Sequence, residues 1–258
     1  MLKHVKGQKI RLEGFNNLTK SLSFNIYDIC YARSERSQIE YLEYADREYD
    51  AKRLQAIIED VTLRIGAKLV NVTTQDYDPR GASVVALLNE DHPVSLQKET
   101  SIVGHLDKSH ITAHTYPEYD PRTGLATFRV DFDVSTCGMI SPLRTLHTLI
   151  ESFDSDIVIV DYRVRGFTRD NKGNKIFIDH DISSIQDFID STILSDYHAY
   201  DINILSEQFF MTKMRKKRLD LDNYLFGDEI SDMNETQREE VRELIELEIQ
   251  EIFECSNL

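Results

Sequence analysis

The feature that most restricts the fold of this chain is a pair of alternating segments joined by a short turn. Residues 110–115 and 126–134 alternate between apolar and polar side chains as β-strands do, and Asp120-Pro-Arg-Thr-Gly124 supplies turn residues between them. Phe128 and Val134 mark the apolar face of the second segment. The chain is therefore expected to contain a hairpin with one buried face.

Other segments extend this pattern along the chain. Strands are predicted at 21–31, 68–73 and 82–88, and helices after the caps Asp50 and Ser141 and over 235–254. A further hairpin is predicted from 156–165 and 175–181, with its turn at 171–174. Strands in runs with helices covering one face favour an α+β fold over a doubly wound parallel sheet. No Pro/Gly-rich linker interrupts the chain, so residues 1–258 are expected to form a single domain.

Composition excludes several classes of protein. A net charge of −15 argues against a nucleic-acid binder, because phosphate contacts need clustered Lys and Arg. No apolar run approaches the length of a membrane span, and the N-terminus lacks the apolar segment of a signal peptide. The three cysteines, Cys30, Cys137 and Cys255, are odd in number and widely spaced. Free thiols in a reducing, cytoplasmic compartment are expected.

One dipeptide has the residues for self-cleavage. The hydroxyl of Ser109 can attack the carbonyl carbon of Lys108 and convert the peptide bond into an ester. β-Elimination then leaves dehydroalanine, which hydrolyses to a pyruvoyl group and ammonia. A group that moves protons is also needed, and His114 lies five residues further on. If 109–115 is a strand, this odd offset places the two side chains on opposite faces, so they meet only where the chain bends.

A pyruvoyl carbonyl would condense with a substrate amine and draw electrons from its carboxylate bond, as pyridoxal phosphate does elsewhere. After CO₂ is lost, the α-carbon needs a proton. Cys137 ends a predicted strand just before a helix start, where backbone donors can tune the pKa of a thiol. Cys137 is therefore the candidate proton donor.

Four segments carry a resemblance to a known family. They are Gly14-Phe-Asn-Asn-Leu-Thr-Lys-Ser-Leu-Ser-Phe24, the stretch from His105 to Glu118, Val134-Ser-Thr-Cys-Gly-Met-Ile-Ser-Pro-Leu143, and Asp161-Tyr-Arg-Val-Arg-Gly-Phe-Thr-Arg-Asp170. The chain resembles bacterial S-adenosylmethionine decarboxylases of the longer, metal-activated branch. The Lys-Ser-His…His-Thr-Tyr-Pro-Glu pattern is the most specific part of the match.

The resemblance implies a role for each residue that matches the motif. Ser109 is implied as the pyruvoyl precursor, His114 as the processing histidine, Cys137 as the proton donor and Glu118 as the carboxylate that binds the ribose of the substrate. Ser101 matches a processing serine less closely. Cleavage after Lys108 would give a β chain of residues 1–108 and an α chain of residues 109–258.

The family fold implied is an α/β sandwich with antiparallel sheets and helices on the outer face, whose sheets stack in a homo-oligomer. S-adenosylmethionine is the implied substrate, and its decarboxylated product supplies the aminopropyl donor for spermidine synthesis. The metal-activated branch also implies Mg²⁺ as an activator. No His, Cys or carboxylate cluster has recognisable ligand spacing, so the metal ligands stay unknown.

Three alternatives remain open at this point. A pyruvoyl site on the same fold would also decarboxylate arginine or ornithine, although Glu118 favours a substrate that carries a ribose. An inactive regulatory homologue would be marked by loss of Ser109, His114 or Cys137, and all three are present. A thiol hydrolase built on Cys137 and His114 lacks an accompanying oxyanion-hole signature.

Overall fold

A computed structural model describes residues 16–78, 80–89, 109–227 and 231–256. Within these ranges nine strands form one sheet, and two short strands form a separate ribbon. The strands are β1 (Thr19–Ala32), β2 (Lys68–Asp76), β3 (Ala82–Asn89), β4 (Ser109–Tyr119), β5 (Leu125–Cys137), β6 (Ile157–Arg165), β7 (Thr168–Arg169), β8 (Lys175–Ile176), β9 (Tyr197–Ile204), β10 (Phe209–Lys216) and β11 (Leu225–Phe226). The α-helices are α1 (Glu35–Glu48), α2 (Ala51–Ile65), α3 (Leu146–Glu151), α4 (Ser191–Asp196) and α5 (Glu235–Glu254).

The sheet is arranged around β1. The strand order is β2-β3-β4-β5-β1-β6-β10-β9, and β11 adds a short parallel contact to β1. All other neighbours in the sheet are antiparallel. β1 is the longest strand and pairs along most of its length with β5 on one side and β6 on the other. The first strand of the described chain is therefore an interior strand of the sheet.

The two faces of the sheet differ in chemistry. The core face carries alternate residues such as Leu22, Phe24, Val130 and Phe132, and α2, α3 and α4 pack against it in one apolar core. The polar face carries Ser23, Asn25, Asp131 and Asp133, all half-buried. At one end of the polar face, α5 covers Ile29 and Ile157 in a second apolar cluster. This alternation follows from the two-residue period of a strand.

Local signals determine where α2 begins and ends. The carboxylate of Asp50 accepts a hydrogen bond from the backbone N–H of Arg53 at 2.7 Å, which satisfies one of the free donors of the first turn. The helix ends at Gly66, whose φ of +75° is readily adopted by glycine. Between these residues, Leu54, Ile58 and Val61 form a fully buried stripe at helical spacing.

Most of the elements predicted from sequence are confirmed. The strands at 21–31, 68–73, 82–88, 110–115 and 126–134 are present, and so are the helix after Asp50 and the helix over 235–254. The α+β class is confirmed, with α5 lying on the opposite face from the other helices.

Two local predictions were wrong. Residues 157–165 pair with β1 and β10, and not with residues 175–181. The only hairpin around 171–174 within the described ranges is the two-residue ribbon of β7 and β8. Ser141 gives no side-chain cap; a 3₁₀ turn over Pro142–Thr145 precedes α3 instead.

Residues from both sides of position 108 contribute to the same sheet. β3 pairs with β4, and β1 lies between β5 and β6. All three cysteines lie in the described ranges, and none is in a disulfide. Among the described helices, none has both the length and the apolar composition needed to cross a bilayer.

The packing of α2 gives a direct test of the core. Replacing Leu54, which is fully buried, by alanine is expected to lower the free energy of unfolding by about 2–5 kcal/mol, because it removes buried methyl groups and leaves a cavity. Leu63 lies on the same helix with 77% of its surface exposed, and its replacement by alanine is expected to change the value by less than about 0.5 kcal/mol. Urea unfolding followed by circular dichroism measures both. Equal losses in the two variants would contradict this packing.

Candidate active site

Ser109 is the first residue of β4 and is almost completely buried. Its side chain lies on the core face with those of Ile111 and Ala113. Lys108 and Ser101 lie outside the described residues. The hydroxyl predicted to cut the chain therefore stands at the very start of a strand, next to the bond that would be broken.

Cys137 lies at the last position of β5 and is half-buried. In the register of the sheet, Thr19 of β1 pairs with Cys137 on one side and with Arg165 on the other. His110 pairs with Ser135, so the end of β5 that carries Cys137 lies beside the start of β4. Ser109 and Cys137 therefore lie at the same end of these two neighbouring strands, although their side chains point to opposite faces of the sheet.

His114 lies on the polar face, opposite in direction to Ser109, as the odd offset predicted. The strand runs on in one register from Ser109 to Tyr119, so no bend brings the two side chains together. Five residues of extended strand separate them by about 17 Å. Across the sheet, His114 pairs with Asp131 of β5. Its Nδ1 lies 3.2 Å from the hydroxyl of Tyr77, which is its hydrogen-bond partner.

A tight turn holds Tyr77 in place beside His114. The backbone N–H of Tyr77 donates to the carbonyl of Gly81 at 2.7 Å, and the N–H of Gly81 donates to a carboxylate oxygen of Asp46 at 2.9 Å. Gly81 has a φ of +95°, and a Cβ there would lie 2.7 Å from the carbonyl oxygen of Thr115. Only glycine fits this approach of the turn to β4.

Glu118 lies at the far end of β4 and is exposed. Nine residues of strand place it about 30 Å from Ser109 in the same chain. Its carboxylate interacts electrostatically with that of Glu248 on α5. Burial first, and then the negative charges of Glu251 and Glu118, raise the pKa of Glu248 above its usual value. The single chain therefore does not bring Glu118 to Ser109.

Charged groups are concentrated on the polar face between these positions. Asp131 accepts a hydrogen bond from Asn25 at 2.6 Å and pairs with Arg129 at 3.3 Å. Burial, and then the charge of Asp133, raise the pKa of Asp161. Within the described residues, one buried side-chain atom each of Arg129, Asp161 and Arg163 has no hydrogen-bond partner. Buried polar atoms usually have partners, which makes these three atoms unusual.

No metal site emerges from the described part of the chain. It contains no group of three or more His, Cys, Asp or Glu side chains that could hold a metal ion together. Of the carboxylates on the polar face, that of Asp131 contacts Asn25 and Arg129.

Comparison with known proteins identifies the family. Residues 39–166 match the family model described as S-adenosylmethionine decarboxylase. Curated relatives named S-adenosylmethionine decarboxylase proenzyme include one from Xylella fastidiosa strain M12, 53% identical over 97% of both chains, and one from Stenotrophomonas maltophilia strain K279a, 54% identical over 97% of both chains. The chain belongs to the S-adenosylmethionine decarboxylase family.

Among solved structures, the adenosylmethionine decarboxylase from Aquifex aeolicus VF5 is 18% identical, with a TM-score of 0.35. It matches 65% of this chain and 99% of its own.

The sequence prediction did not include three residues that contact the predicted site. Tyr77 carries no sequence signal, because its contact with His114 comes from a turn 37 residues away. Lys20 and Asp179 form a buried ion pair beside the backbone that follows Cys137. Lys20 had a signal in the sequence, since it falls in phase with the apolar residues Leu22 and Phe24 of β1.

Proposed function

We propose that this chain is a self-cleaving decarboxylase of S-adenosylmethionine, with a pyruvoyl group made from Ser109 as its cofactor. The observation that carries the proposal is the 53% identity, over nearly the full chain, to relatives named S-adenosylmethionine decarboxylase proenzyme. The word proenzyme fits a chain that cuts itself, and the position of Ser109 at a strand start fits the place of the cut.

The proposed cut uses only groups of this chain and one water molecule. The hydroxyl oxygen of Ser109 attacks the carbonyl carbon of residue 108, and the nitrogen of Ser109 leaves, so that an ester replaces the peptide bond. A base then removes the α-hydrogen of residue 109 as the carboxylate of residue 108 leaves from its β-carbon, which gives dehydroalanine. Water then releases ammonia and leaves a pyruvoyl group at position 109. The pieces stay together because β1 and β3 of the small chain are hydrogen-bonded to strands of the large one.

The surroundings of Ser109 fit a pyruvoyl group. Ser109 is 1% exposed, so a carbonyl formed there is shielded from bulk water. Once residue 109 is a chain terminus, the strand no longer fixes its orientation toward the core face. When present, the pyruvoyl carbonyl supplies the electron sink for loss of CO₂ from the substrate amine.

Cys137, at the end of β5, is the proposed proton donor. It is half-buried, which keeps the thiol within reach of a substrate, and it lies beside the start of β4. After CO₂ is lost, the thiol gives its proton to the α-carbon of the substrate and recovers one from water. Correct placement matters here because a proton delivered to the wrong carbon ends turnover.

The long distances along β4 support a site shared by two copies of the chain. Two polar faces that pack together about a two-fold axis perpendicular to the strands place the start of one β4 over the far end of the other. Glu118 of one copy then lies over the start of β4 in its partner, next to the partner's end of β5. The unpartnered atoms of Arg129, Asp161 and Arg163 favour this face as the contact. We also propose Mg²⁺ as an activator, on the family resemblance alone.

Self-cleavage is tested by replacing the serine. Ser109→Ala is expected to leave one uncut chain of 258 residues with no decarboxylase activity, because alanine has no nucleophilic oxygen. Ser195→Ala, at an exposed helix position, is the matched control and is expected to give chains of residues 1–108 and 109–258. Intact mass under denaturing conditions measures both. A cut Ser109→Ala chain would contradict the proposal.

The shared site is tested by mixing two inactive variants. Cys137→Ala and Glu118→Gln are each expected to lose most activity when expressed alone. Co-expressed, they form mixed pairs in which one site receives an intact Cys137 and an intact Glu118. About a quarter of the wild-type activity is then expected, because half of the pairs are mixed and each holds one intact site. Co-expression that restores nothing would show that each site belongs to a single chain.

A further inference from the structure

A lysine is buried on the apolar face of the central strand. Lys20 of β1 is 1% exposed and lies on the core face in phase with Leu22 and Phe24. Lysine is almost never fully buried without a partner, because an ammonium group loses its hydration there. The partners of Lys20 therefore indicate why a charge stands at this position.

The ammonium group of Lys20 has three acceptors, and they lie close together. Its Nζ lies 2.6 Å from a carboxylate oxygen of Asp179, 2.8 Å from the carbonyl oxygen of Gly138 and 3.2 Å from that of Ile140. Two of these three acceptors belong to the backbone directly after Cys137. The buried charge thus holds the segment that carries the thiol.

Asp179 completes the arrangement from the other side. Its carboxylate accepts a hydrogen bond from Asn16 at 2.9 Å and lies 2.8 Å from Nδ1 of His180. Burial by itself raises the pKa of Asp179, but the hydrogen bond from His180 and the charge of Lys20 outweigh it and hold that pKa well below its usual value. Asp179 is therefore ionised at neutral pH and keeps Lys20 paired.

Several hydrogen bonds fix the backbone directly after Cys137. The carbonyl of Gly138 accepts from both Lys20 and Asn16, and its N–H donates to the carbonyl of Leu18 at 3.0 Å. The carbonyl of Ile140 also accepts from the hydroxyl of Thr136 at 3.3 Å. Gly138 has a φ of +68°, which glycine adopts without strain. The turn after Cys137 is thus attached to β1 and to Asp179.

A buried ion pair adds little stability compared with apolar residues of the same size. Its role at this position is better explained by the orientation that it gives to the neighbouring backbone than by added stability. Proton transfer requires the donor to be held within hydrogen-bond reach of the reacting carbon, and a displacement of about 1 Å can cost about 100-fold in rate. A thiol at a strand end needs such support, since the ladder of β5 stops there.

We propose that Lys20 and Asp179 are positioning residues that fix the Cys137 thiol by holding the backbone of residues 138–140. This rests on the proposed role of Cys137 as proton donor. Neither residue touches the substrate in this account. Their effect passes through the peptide groups of Gly138 and Ile140 to the thiol.

The first test measures the thiol without any turnover. In the uncut Ser109→Ala chain, the double variant Lys20→Met/Asp179→Asn removes both charges together, so that neither is left buried alone. The rate of Cys137 alkylation by iodoacetamide, relative to that of the exposed Cys255, is expected to rise several-fold, because a thiol on a released backbone segment is open to the reagent more often. Peptide mass spectrometry reads both thiols in one sample.

The matched control is Lys216→Met. Lys216 is a second ion-paired lysine, 2.8 Å from Asp154 and on β10, with no contact to Cys137 in the described structure. This variant is expected to leave the ratio of Cys137 to Cys255 alkylation unchanged. A ratio that stays the same or falls in Lys20→Met/Asp179→Asn would overturn the proposal.

The second test measures where the proton goes in the cleaved enzyme. When the proton reaches the carbon of residue 109 in place of the substrate α-carbon, hydrolysis leaves alanine at position 109 and converts the substrate into an aldehyde. The double variant is expected to make about tenfold fewer turnovers per alanine formed than the wild type. A merely structural role would lower the melting temperature and leave this ratio unchanged, which would also overturn the proposal.

The two proposals fail in different ways. Normal turnover by Cys137→Ala would remove the proton-donor role, while the alkylation ratio would still report whether Lys20 and Asp179 hold the thiol. An unchanged alkylation ratio together with poor turnover by Cys137→Ala would remove the positioning role of Lys20 and Asp179 and leave the proton-donor role of Cys137 in place.

Discussion

The register between β1 and β5 is the constraint on which the rest of this structure depends. It sets Thr19 opposite Cys137, Asn25 opposite Asp131 and Phe24 opposite Phe132, so it decides at once which side chains form the core and which face the site. A slip of one residue would exchange the two faces. Lys20 would then leave the interior, and the contacts that hold the turn after Cys137 would be lost. Folding and the geometry of the proposed chemistry therefore depend on the same pairing.

Self-cleavage is compatible with this sheet because the two products are interleaved. The proposed small chain of residues 1–108 contains β1, β2 and β3, and the proposed large chain contains the strands on both sides of β1. The bond before Ser109 lies at the very start of β4, so the pairings of residues 110–119 with β3 and β5 all lie on one side of the cut. The cut releases only the first residue of β4, which is the residue that the proposed chemistry needs to be free.

Much of the fold could be predicted from local patterns. The apolar alternation around Leu22 and Phe128, the Asp50 cap and the charged amphipathic segment from Glu235 each determine an element by short-range physics. The pairing of β6 could not be predicted, because its partners β1 and β10 lie far away in the sequence and the nearby turn around Gly173 suggested a hairpin instead.

The sequence predicts which residues form the candidate site, whereas their arrangement comes from the folded chain. The offset between Ser109 and His114 predicted opposite faces, and the regular strand confirms it. The role of Lys20 could have been suspected from its apolar register, but Asp179 is 159 residues away and only the folded chain brings them together. The roles of Ser109, His114, Cys137 and Glu118 stay predictions that rest on the family.

The most direct test of the central claim is release of CO₂ by the fully cleaved protein from carboxyl-labelled S-adenosylmethionine, arginine and ornithine, each assayed alone. The account predicts labelled CO₂ from S-adenosylmethionine only. Release from arginine or ornithine with none from S-adenosylmethionine, or no release from any of the three, would contradict it.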